Sequence, residues 1–334
     1  MTYYPVPSAL REQHTSLSKQ LADQRMAKLD SLKETKKSEI EAMDWSCNGE
    51  RLLVCSRDGT LKLWKADKLS EERTWAGSWT WTEAHPTDPH LFSCVSWDGK
   101  VKIIDVRNPT STSSDVDLKK SKGLEKFLFS TFSLDGSKLA ILTRADQIHV
   151  LDIASGELNT IQAGCEVYSL IFDPENRLWL ATGGTPGKIQ IYDVSSCHLV
   201  SEFVAHSHAV TCFARTRNNA HFVSGGSDAL VALWNSKTIA CIRTFPNSLS
   251  PVTSVSVNFD DSLVAWGSGA IGARDAEPIV SVAGLETGAH YASFTTPAPV
   301  SRVKWHPTKA VLAYTMQQGT GADTSVQIMS WPQQ

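Results

Sequence analysis

Beyond residue 39 the chain runs as short apolar stretches separated by residues that reverse its direction. Val210-Thr-Cys-Phe-Ala leads into an Asn-containing turn, His221-Phe-Val-Ser follows, and after a second tight turn comes a run ending Leu233-Trp234-Asn235. Runs of this kind, bounded by Asn, Asp, Gly and Pro, predict strands rather than helices. The reversals are chemically marked: Cys47-Asn-Gly49, Leu134-Asp-Gly136, Asp173-Pro-Glu-Asn176, Asp260-Asp-Ser262 and His306-Pro-Thr308 supply left-handed or φ-fixed backbone. No helical periodicity runs through residues 40 to 334, which excludes parallel α/β folds, whose crossovers are helices.

The pattern repeats. The third run of each unit ends in an aromatic or aliphatic residue followed by an acidic or small polar one: Leu63-Trp64-Lys65, Ile104-Asp105, Leu151-Asp152, Tyr192-Asp193 and Leu233-Trp234-Asn235, with degenerate forms at Val282-Ala283-Gly284 and Ile328-Met329-Ser330. The marker falls at 65, 105, 152, 193, 235, 284 and 330, in steps of 40 to 49 residues. That period is the WD40 repeat, one four-stranded propeller blade of about 40–45 residues. Length alone, at about 150 residues per domain, suggests two domains; the repeat replaces them with an all-β, seven-bladed WD40 β-propeller over residues 39–334 and a tail over 1–38. The last unit ends before a fourth strand. A strand borrowed from the N-terminal segment, Ala27 to Lys33, would fill that edge and tie the last blade to the first. Ser8 to Gln24, with Leu10, Leu17 and Leu21 among polar residues, reads equally as a short amphipathic helix or a solvated tail.

One unit carries His206, Ser224, Asp228 and Trp234, with Asp228 six residues before Trp234. A hydrolase triad uses the same residue types, but no Gly-x-Ser-x-Gly elbow accompanies them, and within a blade such groups satisfy one another's buried hydrogen bonds. They are expected to form a structural network, with no catalytic residue in the chain. Gly267-Ser-Gly269-Ala-Ile-Gly272 lacks the helix that a dinucleotide site requires, and Gly183-Gly-Thr-Pro-Gly187-Lys188 has the wrong spacing for a P-loop. His198, His206 and His208 have no acidic or Cys partner at ligand spacing. No cofactor, metal or small-molecule substrate is therefore expected.

What remains is surface. Arg57 and Trp97 each precede a turn Asp on the face where blades are entered, and Arg and Trp are enriched at interface hot spots, so these two are the candidate partner-binding residues. Trp79 and Trp81 read as sharing one strand face, filling core with Trp75, and the Gly-rich turns Gly267 to Glu277 and Gln317 to Thr324 form a second candidate contact region. With 32 Lys and Arg against 35 Asp and Glu, the net charge is −3, which provides no basic stripe for RNA binding by this chain alone. No run of 18 apolar residues is present to span or anchor in a membrane, and the N-terminus lacks a signal-peptide pattern, so a soluble intracellular protein is expected. The seven Cys include no Cys-x-x-Cys pair and read as buried reduced thiols.

Gly226-Ser-Asp-Ala-Leu-Val-Ala-Leu-Trp234, Cys241-Ile-Arg243, Trp45-Ser-Cys-Asn-Gly49, Ile103-Ile-Asp-Val-Arg107 and Val303-Lys-Trp-His-Pro307 with Leu312-Ala-Tyr314 make the chain resemble the WD40 (subunit 3) family of the THO complex, over about residues 35 to 331. The resemblance implies a nuclear, non-catalytic subunit of the THO/TREX assembly coupling transcription to mRNA processing and export. Its contacts would be other protein subunits, with RNA at most indirect. The alternative is a WD40 substrate-recognition or scaffold subunit of another complex, such as a ubiquitin ligase. That reading predicts a basic, Arg-rich entry face, where the sequence shows Arg57 but no cluster.

Overall fold

Among the described residues the apolar runs become twenty-eight strands in seven four-stranded antiparallel sheets. The computed structural model describes residues 27–32, 38–108, 115–116, 126–246, 248, 250–269, 278–317 and 326–330, and among these there is no helix. The innermost strands of blades 1 to 7 are Ile40–Trp45, Trp79–Ala84, Phe127–Phe132, Val167–Phe172, Val210–Arg215, Val252–Val257 and Val300–Trp305. In blades 1 to 6 three further strands follow in chain order; blade 7 completes its sheet with Ala27–Leu32, paired antiparallel to Val326–Ser330. The N-terminal segment thus closes the ring where the sequence left an open edge. Ser8 to Gln24 and Lys33 lie outside the described residues, as do 270–277 and 318–324 of the two Gly-rich turns.

Every innermost strand carries a bulge at the same place, one residue after its first paired position: Glu41, Thr80, Leu128, Tyr168, Thr211, Thr253 and Ser301. A bulge twists the strand and re-aims a side chain. At four of the seven it aims a hydroxyl at the next blade. Thr80 donates to Phe127 O (2.8 Å), Thr211 to Val252 O (2.6 Å), Thr253 to Val300 O (2.6 Å) and Ser301 to Ile40 O (3.3 Å). The last of these joins blade 7 to blade 1.

The apolar faces meet between blades, as in the cluster of Trp45, Leu52, Val54 and Trp64 with Ala313, Val326 and Ile328 across the ring closure. On the opposite end His306 reinforces that junction: its Nε2 donates to Gly49 O at 2.9 Å, and its Nδ1 accepts from Thr308 N at 3.2 Å. Gly49, with φ of 75°, packs so closely against this imidazole that no side chain fits there.

The bulge corrects one expectation. Trp79 and Trp81 pair with Ser96 and Val95, consecutive rungs, so they do not share a face. Trp79 is buried in the interblade core, while Trp81 meets Phe129 and Arg302 beside the central channel. All seven cysteines are free, but only Cys55, Cys94 and Cys212 are buried; Cys47, Cys165 and Cys197 are half-buried, and Cys241 is exposed. Gly183 to Pro186 forms the turn between the strands Arg177–Thr182 and Gly187–Asp193, and Gly187 and Lys188 open the second strand.

Candidate functional site

The entry face is organised by one recurring hydrogen bond. The first residue after each second strand donates its N–H to the carbonyl just ahead of the innermost strand. The pairs are Arg57 to Glu39, Trp97 to Ser78, Arg144 to Lys126, Gly183 to Glu166, Ser227 to Ala209, Gly269 to Pro251 and Gln317 to Pro299, at 2.7–3.1 Å. This ring of equivalent positions is chemically lopsided. Blades 1 to 3 present Arg57, Trp97, Arg144, Lys126 and Glu39; blades 5 to 7 present mainly Gly, Ala, Ser and Pro.

Arg57 and Trp97 both line the mouth of a central cavity of about 820 Å³. The Arg57 guanidinium is held by Glu39 at 2.5 Å and Glu41 at 3.4 Å, with its side chain 68% exposed. Burial, then Glu39, raises the Glu41 carboxyl above its ordinary value, and Arg57 opposes the rise. Trp97 is 41% exposed and has two cations over its ring, Lys126 Nζ at 4.6 Å and Arg144 Cζ at 5.6 Å from the centroid. Spacing concealed this cluster. In blades 1 and 2 the rim residue directly precedes the turn Asp, but in blade 3 Ala145 separates Arg144 from Asp146, and Lys126 sits ahead of a different strand.

Deeper in the channel, Arg302 stacks over Trp81 at 4.8 Å, and Lys304 pairs with Asp44 at 3.0 Å. Burial, helped by the Asp44 charge, pushes Glu83 up to about 8, so this carboxyl is protonated at neutral pH. Burial works against the Lys304 charge, yet Asp44 and Glu83 outweigh it and hold its pKa above the ordinary value. Cys212, also lining the channel, has its thiol pushed up to about 11 by burial, which suppresses the nucleophilic thiolate.

The four residues singled out in blade 5 meet one another. Trp234 Nε1 donates to Ser224 Oγ at 2.9 Å, Ser224 lies 2.7 Å from His206 Nε2, and His206 Nδ1 lies 2.9 Å from Asp228. The relay is buried inside the blade, and none of its four residues lines the central cavity. His198 and His208 do not join it: His198 contacts Ser196 O and His208 contacts Ser207. Among the described residues no three His, Cys, Asp or Glu side chains converge as metal ligands.

The profile of the WD domain, G-beta repeat matches residues 27–65, 78–105 and 197–235. The last match begins just ahead of the outermost strand of blade 4, His198–His206, and ends with the third strand of blade 5, Val231–Asn235, so the sequence repeat is offset by one strand from the blade. THO complex subunit 3 of Arabidopsis thaliana is 23% identical over 83% of this chain and 86% of that relative. Striatin of Rattus norvegicus is 26% identical over 62% of the chain, which spans only 22% of striatin. Among solved structures, the β-propeller domain of Myceliophteria thermophila Cps50 (Swd1) superposes with a TM-score of 0.74 at 13% identity, covering 92% of this chain and 99% of that one. The chain folds as a seven-bladed β-propeller with WD40 repeats at the matched residues, and is similar along most of its length to THO complex subunit 3.

Proposed function

We propose that this chain is a non-catalytic interaction scaffold, a nuclear subunit of a THO/TREX-type assembly coupling transcription to mRNA processing and export, and that it engages neighbouring subunits through the entry face of blades 1 to 3. One observation carries the choice of assembly: the similarity to THO complex subunit 3 extends over most of both chains, whereas striatin shares only part of its length. The choice of face rests on Arg57 and Trp97 standing at one cavity mouth while, among the described residues, the equivalent rim positions of blades 5 to 7 offer few side chains able to anchor a partner. The scaffold role is supported by the channel chemistry, where the thiol is a weak acid and Glu83 and Lys304 are engaged with Thr131 and Asp44.

Affinity purification of the tagged chain with mass spectrometry tests the reading. Wild type is expected to recover THO subunits, and Arg57→Ala/Trp97→Ala to lose at least one of them while retaining the wild-type circular dichroism spectrum. Recovery of a different assembly, or undiminished recovery by the double variant, overturns the assembly or the face respectively.

A further inference from the structure

Lys126 and Arg144 differ from the other rim cations in having no carboxylate partner among the described residues. Arg57 is neutralised by Glu39 and Glu41, and Lys100 is paired with Asp98 at 2.6 Å. Lys126 and Arg144 make no ion pair among the described residues; what the structure gives them is the face of Trp97. The backbone bond from Arg144 N to Lys126 O, at 2.8 Å, fixes the two residues side by side. Two like charges are therefore held against one half-exposed indole without an ion-pair partner among the described residues, an arrangement that an incoming anion relieves.

We infer that Trp97, Lys126 and Arg144 form a docking site for an acidic, Asp/Glu-containing segment of a partner protein, with an apolar side chain of that segment covering the exposed part of Trp97. The inference rests on reading this face as the partner surface, and adds the chemistry of what docks there. The surroundings favour separate carboxylates over phosphates. Glu39, Glu41, Asp98 and Asp146 stand on the same rim or the turns beside it, and repel the denser charge of a phosphate group or nucleic-acid backbone. A nucleic acid also requires a row of cations, and among the described residues the equivalent rim positions of blades 5 to 7, Ala209, Ser227, Pro251, Gly269, Pro299 and Gln317, hold none.

The test is fluorescence anisotropy on the full chain with a labelled Asp/Glu peptide containing one Phe. A Lys/Arg peptide of matched length, a phosphoserine peptide and a single-stranded RNA serve as competitors. Wild type is expected to bind the acidic peptide, more weakly as salt rises. Lys126→Ala/Arg144→Ala should bind it at least about tenfold more weakly. Lys126→Arg/Arg144→Lys should retain binding, which separates loss of charge from loss of fold. Lys126→Glu/Arg144→Glu should switch preference to the basic peptide. Absence of saturable binding by wild type, equal binding by the Ala variant, or preference for the phosphopeptide or RNA overturns the inference. If the peptide binds as expected while Arg57→Ala/Trp97→Ala keeps every co-purifying subunit, the face chosen in the proposed function fails as the subunit contact, while the acidic-peptide site itself stands. If the peptide does not bind while the double variant loses a THO subunit, the proposed function stands and this site fails.

Discussion

Two tryptophans at equivalent places in blades 5 and 1 show how much one neighbouring side chain decides. Trp234 and Trp64 both stand next to last in third strands, pairing with Phe222 and Leu52. The Trp234 indole N–H reaches Ser224, but the matching position in blade 1 is Val54, and the buried Trp64 N–H has no acceptor. A buried unpartnered donor costs about 1–3 kcal/mol. Trp234→Phe should therefore destabilise more than Trp64→Phe, by about 1–2 kcal/mol in urea unfolding, because only the former breaks a bond. Ser224→Ala, which strands both the indole and His206, should cost about 2–3 kcal/mol; a cost matching an exposed Ser→Ala control would remove the relay from the account of stability. The four relay residues were legible because they fall at fixed offsets within one repeat. Arg144 was not, because one inserted alanine breaks the rule that exposes Arg57 and Trp97.

At the scale of elements, the strand pattern and the missing fourth strand of blade 7 could be read from turn chemistry and period, while the bulge in every innermost strand could not. A bulge is an extra residue in a ladder, and alternation of side chains does not reveal it when both neighbours are apolar, as at Trp79 and Trp81. The closing strand forms five register pairs with Val326–Ser330. With about 1 kcal/mol for each backbone hydrogen bond, removing residues 1–32 should lower stability by about 3–5 kcal/mol and expose an edge that self-associates. Thermal melts with light scattering check both effects. The His306 latch at the same junction makes a pH prediction. Thr308 N donates to Nδ1 and Gly49 O accepts from Nε2, which requires a neutral ring, and burial lowers the pKa to about 4 from the 6.5 of an unperturbed histidine. Between these values the unfolded chain takes up a proton that the native ring refuses. This contribution is fully present above pH 6.5 and is lost as pH falls through about 4, at most about 3 kcal/mol in all. His306→Gln should flatten the acid limb of stability against pH; an unchanged limb would assign it to other groups.

Across the whole ring, charge gathers on one side of the channel in a way no sequence window displays. Asp44, Glu83 and Lys304 come from blades 1, 2 and 7, yet occupy the same step after the bulge, where blades 4 to 6 place Ile171, Ala214 and Ser256. Only closure of the ring brings residues 44 and 304 to a 3.0 Å contact. Glu83 bears the consequence. Its Oε1 accepts from Thr131 at 3.1 Å, its Oε2 is buried without a partner, and burial beside Asp44 raises its pKa to about 8 from 4.5. Above pH 4.5 the unfolded chain releases this proton while the native state retains it. The native state therefore loses stability as pH rises toward 8, on the order of 3–5 kcal/mol in total, and the loss levels off once the native carboxyl also ionises. Gln has the shape of the protonated acid and no proton to lose. Glu83→Gln should thus be near neutral at about pH 4.5 and increasingly stabilising up to about pH 8, as read from urea midpoints across that range. A stability difference independent of pH would mean that Glu83 is already ionised and compensated by Lys304. The channel would then hold a balanced ion cluster in place of a buried acid.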